Sequence, residues 1–131
     1  MKITNELLDN LTAQAKQSER LRMAYDLRTS SDDRSQRMLN AMEPGTILPI
    51  HRHRRSSESC AVLRGAIREN FYDNEGNLIE TFDLKAGSSL AFCQIPKGAW
   101  HNTESLESGT IIFEAKDGAY TPLTDEDILK K

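Results

Sequence analysis

The chain has 131 residues, with 17 basic against 20 acidic side chains and a net charge of −3. That length suits one domain with one core, and the charge balance disfavours a general nucleic-acid binder, which needs a basic surface to neutralise phosphates. No apolar run is long enough to span a bilayer and the N-terminal stretch lacks the apolar core of a secretory signal, so a cytoplasmic location without membrane or nucleic-acid partners is expected.

In chain order, residues from about Thr4 to Arg20 read as a helix. Leu7, Leu8, Leu11 and Ala15 recur at helical spacing, and Thr4 is a suitable N-cap. The stripe is narrow, which suits packing onto the outside of a sheet. Residues 26–35 (DLRTSSDDRS) are polar and turn-rich and read as a loop.

From Gln36 the texture changes to short strands. RMLNAME ends at Pro44-Gly45, SCAVLRG runs into Gly65, and AIRENFY follows at once. DNEGN (residues 73–77) is a hairpin turn, because Asn and Gly tolerate positive φ, and LIETFDL is its return strand. SSLAFCQI, WHNTESL and GTIIFEAK complete the set. Short strands at regular intervals predict an all-β sandwich or barrel. The segment from Thr121 is charged and reads as a short helix capped by Thr124, or as a frayed tail. The expected organisation is a helix and loop over residues 1–35, a barrel over 36–120 and a tail over 121–131.

The chain has three histidines, His51, His53 and His101. In a strand, residues i and i+2 share a face about 7 Å apart, so His51 and His53 can converge on one ion. Glu58 is five residues on, and His101 would come from a distant strand. Each has a bland alternative: HRHRR as a solvated basic stretch, His101 as a hydrogen-bonded core residue, Glu58 as a surface carboxylate.

The joint spacing favours the metal. Gly45, His51-x-His53, Glu58 and Gly65 form one fixed pattern, and Pro96-x-Gly98 with His101 forms a second. Together they resemble the two motifs of the cupin superfamily, whose fold is a double-stranded β-barrel or jelly roll. The resemblance covers roughly residues 40–115. It implies that His51, His53, Glu58 and His101 hold one divalent transition ion, Zn, Fe, Mn or Ni. Two positions depart from the pattern: Gly87 lies farther before Pro96 than usual, and Ser105 stands where asparagine is expected. The flanks QRMLNAMEPGT, DNEG, IPKGAWH and SLESGTIIFEAKDGAY look like the WbuC-type cupin fold metalloproteins, which implies bacterial surface-polysaccharide metabolism.

Strand alternation adds company for the ion. Glu58, Cys60, Val62 and Arg64 share one face. Arg64 is placed at the rim, where it would grip an anionic ligand through a carboxylate or phosphate; the alternative is a surface salt bridge. Cys60 reads as a small core residue, and with only Cys93 beside it no disulfide scaffold is expected. Arg52 and Trp100 should point away from the histidines, and Arg54 and Arg55 should shape the barrel mouth. Tyr25, Tyr72 and Tyr120 are possible acid–base groups.

The functional expectation is a metal-dependent enzyme, an isomerase, epimerase or oxygenase, acting on a small polar metabolite such as a sugar or nucleotide-sugar. A non-catalytic metabolite-binding module and a metal-independent epimerase-like cupin are the alternatives. A homodimer paired through sheet edges is expected, and metal loss is expected as pH falls below the free imidazole value of about 6.5.

Overall fold

A computed structural model describes residues 1–130. Lys131, the last residue of the expected tail, lies outside the described residues. The elements run α1 (Asn5–Gln17), β1 (Arg22–Asp26), β2 (Ser35–Met42), β3 (Glu58–Arg64), β4 (Ala66–Tyr72), β5 (Leu78–Lys85), β6 (Phe92–Ile95), β7 (Trp100–Ser105), β8 (Thr110–Asp117) and a 3-10 turn at Asp125–Asp127. All strand pairs are antiparallel. They form a five-stranded sheet in the order β1-β2-β8-β3-β6 and a three-stranded sheet in the order β5-β4-β7. The mainly β architecture with an N-terminal helix agrees with the sequence.

The helix begins where Thr4 Oγ1 accepts a hydrogen bond from the Leu7 amide at 3.2 Å. Leu8, Leu11 and Ala15 bury its apolar stripe against Leu39, Ala41 and Ile111. Truncating a buried leucine such as Leu11 costs about 2–5 kcal/mol. Consecutive residues separate the two faces of the five-stranded sheet. Ala41 and Ile111 lie under the helix, whereas Met42 and Ile112 belong to the core between the sheets with Cys60, Val62, Ile67, Phe71, Leu84, Cys93 and Ile95.

Strand β1 lies between the expected helix and the expected loop, in residues to which the sequence assigned no element, and overlaps the loop only at Asp26. Its signal is two apolar residues, Met23 and Tyr25, that pack toward α1, flanked by charged residues. Pairing with β2 along its whole length holds it. SSLAFCQI forms a strand only over Phe92–Ile95. Ser88 Oγ donates to the Lys85 carbonyl at 2.8 Å and accepts from the Leu90 amide, so a local turn replaces the ladder. Gly65 has φ of +74°, and a Cβ there would meet Thr110 Cα at 2.8 Å; only glycine fits between β3 and β4.

Candidate metal centre

Residues 43–57 leave β2 without forming a regular strand, yet one bridge fixes their register against β7. The His51 amide donates to the His101 carbonyl at 3.0 Å, and the His101 amide returns the bond at 2.9 Å. Two residues on, the Gly98 amide donates to the His53 carbonyl at 2.8 Å. These backbone bonds hold the two motifs together. They put the ring centroids of His51 and His101 4.4 Å apart, with His53 at 5.1 Å from the first and 5.6 Å from the second. One ring nitrogen from each lies within 4.8 Å of the others.

The tautomers suit ligation. His51 Nδ1 is 2.9 Å from the Pro49 carbonyl and His101 Nδ1 is 2.9 Å from the Ala99 carbonyl. A carbonyl only accepts, so each Nδ1 carries the proton and each Nε2 keeps its lone pair. Burial, joined by the neighbouring His101 charge, lowers the His51 pKa to about 4. His101 is lowered too, mainly by burial. Both rings are therefore neutral at pH 7, as coordination requires.

Glu58 is buried at the start of β3 and places Oε1 3.2 Å from His53 Nε2. Burial pushes its pKa up, but the hydrogen bond with His53 and the charge of Lys116, 3.6 Å away, outweigh that and hold it at about 2. The carboxylate is therefore ionised. Two neutral imidazoles with free Nε2 atoms, with the His53 ring and the ionised Glu58 carboxylate beside them, make a donor set that fits a divalent transition ion.

The structure does not bring Arg64 to this cluster. The β3–β8 register shifts between Val62 and Arg64. Val62 lies opposite inner-face Ile112, but Arg64 lies opposite Ile111, which faces α1. The bulge turns the side chain outward, where it meets Asp9 at 2.7 Å and Asn5 Oδ1 at 2.9 Å. The expected anion-binding role at the barrel rim is replaced by this surface ion pair.

Other sequence readings meet varied outcomes. The Arg52 guanidinium stacks 4.4 Å from the centre of the Trp100 ring. Arg54 pairs with Asp127 at 2.7 Å and with Glu126 at 3.1 Å, while Arg55 is exposed. Of the tyrosines, Tyr25 packs against α1, Tyr120 is exposed beneath Arg28, and Tyr72 donates to Asn102.

Four features escaped the sequence reading. Lys116, on β8, reaches Glu58 across the inner face. Glu69 is fully buried on β4 between the inward Ile67 and Phe71, and its Oε1 accepts from Thr103 at 2.6 Å. Burial above all pushes its pKa up to about 9, so it carries a proton at pH 7. Strand alternation in AIRENFY was the available signal for Glu69. The last segment adds an edge beside His51: the Leu129 amide donates to the Ile50 carbonyl at 2.8 Å and the Arg52 amide to the Asp127 carbonyl at 3.0 Å. Finally, a cleft of about 470 Å³ lies between β5, β6 and residues 96–100, walled by Phe71, Phe82 and Trp100, with none of the four candidate ligands in its lining. Phe71 stands 6.3 Å from the His101 ring.

No curated protein matches the sequence. Among solved structures, the chain resembles oxalate oxidase in complex with the substrate analogue glycolate, with 15% identity, a TM-score of 0.64, and 80% of this chain and 55% of that chain covered. It also resembles a mutant of Bacillus subtilis oxalate decarboxylase OxdC, with 19% identity, a TM-score of 0.59, and coverage of 81% and 27%. KdgF from Halomonas sp. gives 18% identity, a TM-score of 0.58, and coverage of 80% and 82%. The chain thus spans about half the length of the oxalate oxidase and about a quarter of the decarboxylase. These likenesses establish a cupin fold, as the two motifs implied. They lend nothing to the narrower WbuC-type resemblance. The family model that matches covers residues 3–84, so the chain belongs to the family described as a domain of unknown function, DUF6016.

Proposed function

We propose that this protein is a metal-dependent cupin enzyme in which His51, His53, His101 and Glu58 hold one divalent transition ion, Zn, Fe, Mn or Ni. The observation that carries this reading is the convergence of the three imidazoles, two of them with Nδ1 tied to a backbone carbonyl, beside the ionised Glu58. When bound, such an ion polarises a ligand oxygen or lowers the pKa of a bound water. The chain's own residues do the rest. Pro49 and Ala99 fix the ring orientations, Lys116 offsets the buried Glu58 charge, and Phe71 screens the His101 ring from water.

The cleft beside Phe71 is the ligand's side of the site in this reading. Its lining includes Gln94, Asn74, Tyr72 and Glu80 among aromatic walls, and neither lysine nor arginine. With Arg64 turned away, the lining favours a neutral polar ligand with an apolar face, such as a sugar, over an anion. A role in surface-polysaccharide metabolism is part of the reading and rests on the WbuC-like flanks in the sequence. So is a homodimer, supported by Leu90 and Phe92, exposed on and beside edge strand β6. No helix of the described residues is long and apolar enough to cross a membrane, compatible with the cytoplasmic location in this reading.

Elemental analysis of untagged protein tests the metal. About one equivalent of a transition metal per chain, lost in His101→Ala, is the expected result; a wild type free of metal after reconstitution would point to the metal-independent alternative. Saturable sugar binding without turnover would favour a non-catalytic binding module.

A further inference from the structure

The inner face of the barrel carries two thiols that the proposed function does not use. Cys60 on β3 and Cys93 on β6 are register partners in an antiparallel ladder, and both belong to the core between the sheets. Each is a free, buried cysteine. We propose that Cys60 and Cys93 form a peroxide-responsive dithiol that closes reversibly to a disulfide inside the barrel, one pleat below Glu58.

The backbone permits the bond. The Val62 amide donates to the Ala91 carbonyl at 2.8 Å, so the pair two residues along the ladder, Cys60 and Cys93, is of the hydrogen-bonded kind. Such pairs have Cα atoms about 5.5 Å apart, inside the disulfide range of about 4.4–6.8 Å. Strand β6 is four residues long and is an edge of its sheet, bonded only to β3. It can shift to meet the torsion that the bridge demands without disturbing a second ladder. The chain has no third cysteine to compete.

Exposure gives the order of events. Cys93 keeps 9% of its surface accessible and Cys60 only 1%. Cys93 sulfur attacks a hydroperoxide: an S–O bond forms, the O–O bond breaks and, with hydrogen peroxide, one water leaves. Cys60 sulfur then attacks Cys93 sulfur: the S–S bond forms, the S–O bond breaks and a second water leaves. The dithiol gives up two electrons and both thiol protons to the peroxide. A thiol restores the reduced state by exchange.

The test uses the whole chain after metal removal by chelation, so it is independent of the metal reading. The protein is treated with hydrogen peroxide, denatured in an alkylating agent and weighed by mass spectrometry. The expected product has lost the mass of two hydrogens, resists alkylation, yields a Cys60–Cys93 linked peptide and reverts with dithiothreitol. In Cys60→Ser, the resolving thiol is gone, and a cyclic diketone should trap sulfenic acid on Cys93. Two alkylated thiols, stable higher oxidation of Cys93, or bridges between chains instead of within one would each overturn the proposal.

Discussion

His51 and His101 exchange both of their backbone hydrogen bonds, at 3.0 and 2.9 Å, and this bridge, with the Gly98–His53 bond, joins the two sequence motifs. Their imidazoles stand 4.4 Å apart because the backbones are locked, not because the side chains hold each other. Replacing any of His51, His53 or His101 by alanine should therefore spare the fold and weaken metal binding by more than the roughly 10–100-fold typical of losing a supporting residue. Glu58→Gln should weaken it less, since the amide keeps one oxygen. Titration against a metal-binding dye, with circular dichroism as a fold control, checks both; undiminished affinity in His101→Ala would falsify the four-ligand centre.

Asp127 lies far from the histidines in sequence yet clamps the segment that carries two of them. Its carbonyl accepts from the Arg52 amide, and its carboxylate meets Arg54 at 2.7 Å and Arg52 at 3.5 Å. Exposed ion pairs contribute only about 0–1 kcal/mol, so Asp127→Ala should barely move the melting temperature. It should instead raise the rate of metal release to a chelator by roughly tenfold. An unchanged release rate would show that the segment around His51 needs no external clamp.

Protonation should act at lower pH than free imidazole suggests. His51 is held near 4 in the fold against about 6.5 when unfolded. In metal-free protein, the unfolded chain thus binds the extra proton between those values. The His51 contribution is complete above about 6.5 and is lost as pH falls toward 4, by up to about 3 kcal/mol. Urea unfolding of metal-free protein from pH 7 to 4 should show this decline, and His51→Gln should flatten it. For the same reason, protons should compete with a metal for His51 and His101 only at lower pH than they do for a free imidazole.

Glu69 works in the opposite direction. Its folded pKa of about 9 exceeds the free value, so the unfolded chain releases a proton that the fold retains. Stability is lost as pH rises from about 4.5 toward 9. Glu69→Gln, which preserves the acceptor for Thr103, should raise stability at pH 8 by roughly 3–5 kcal/mol and much less at pH 5. Equal shifts at both pH values would mean that the carboxyl is not protonated in the fold.

Sequence spacing alone singled out the residues of the candidate centre. His-x-His, the glutamate five residues on and the late histidine are side-chain types that suit a transition ion, and the fold brings them together. The glycines told where strands end, and the leucines at positions 8 and 11 with Ala15 told that a helix lies on a sheet. Tertiary structure decided what alternation could not. A bulge between Val62 and Arg64 reversed the facing of one side chain and took it from the expected rim to Asp9. Strand β1 owes its existence to β2 beside it, the Cys60–Cys93 contact to the register of β3 on β6, and the Asp127 clamp to a tail returning across the chain. Those relations join residues distant in sequence through backbone hydrogen bonds, which every residue but proline can make, so no local pattern of side chains announces them.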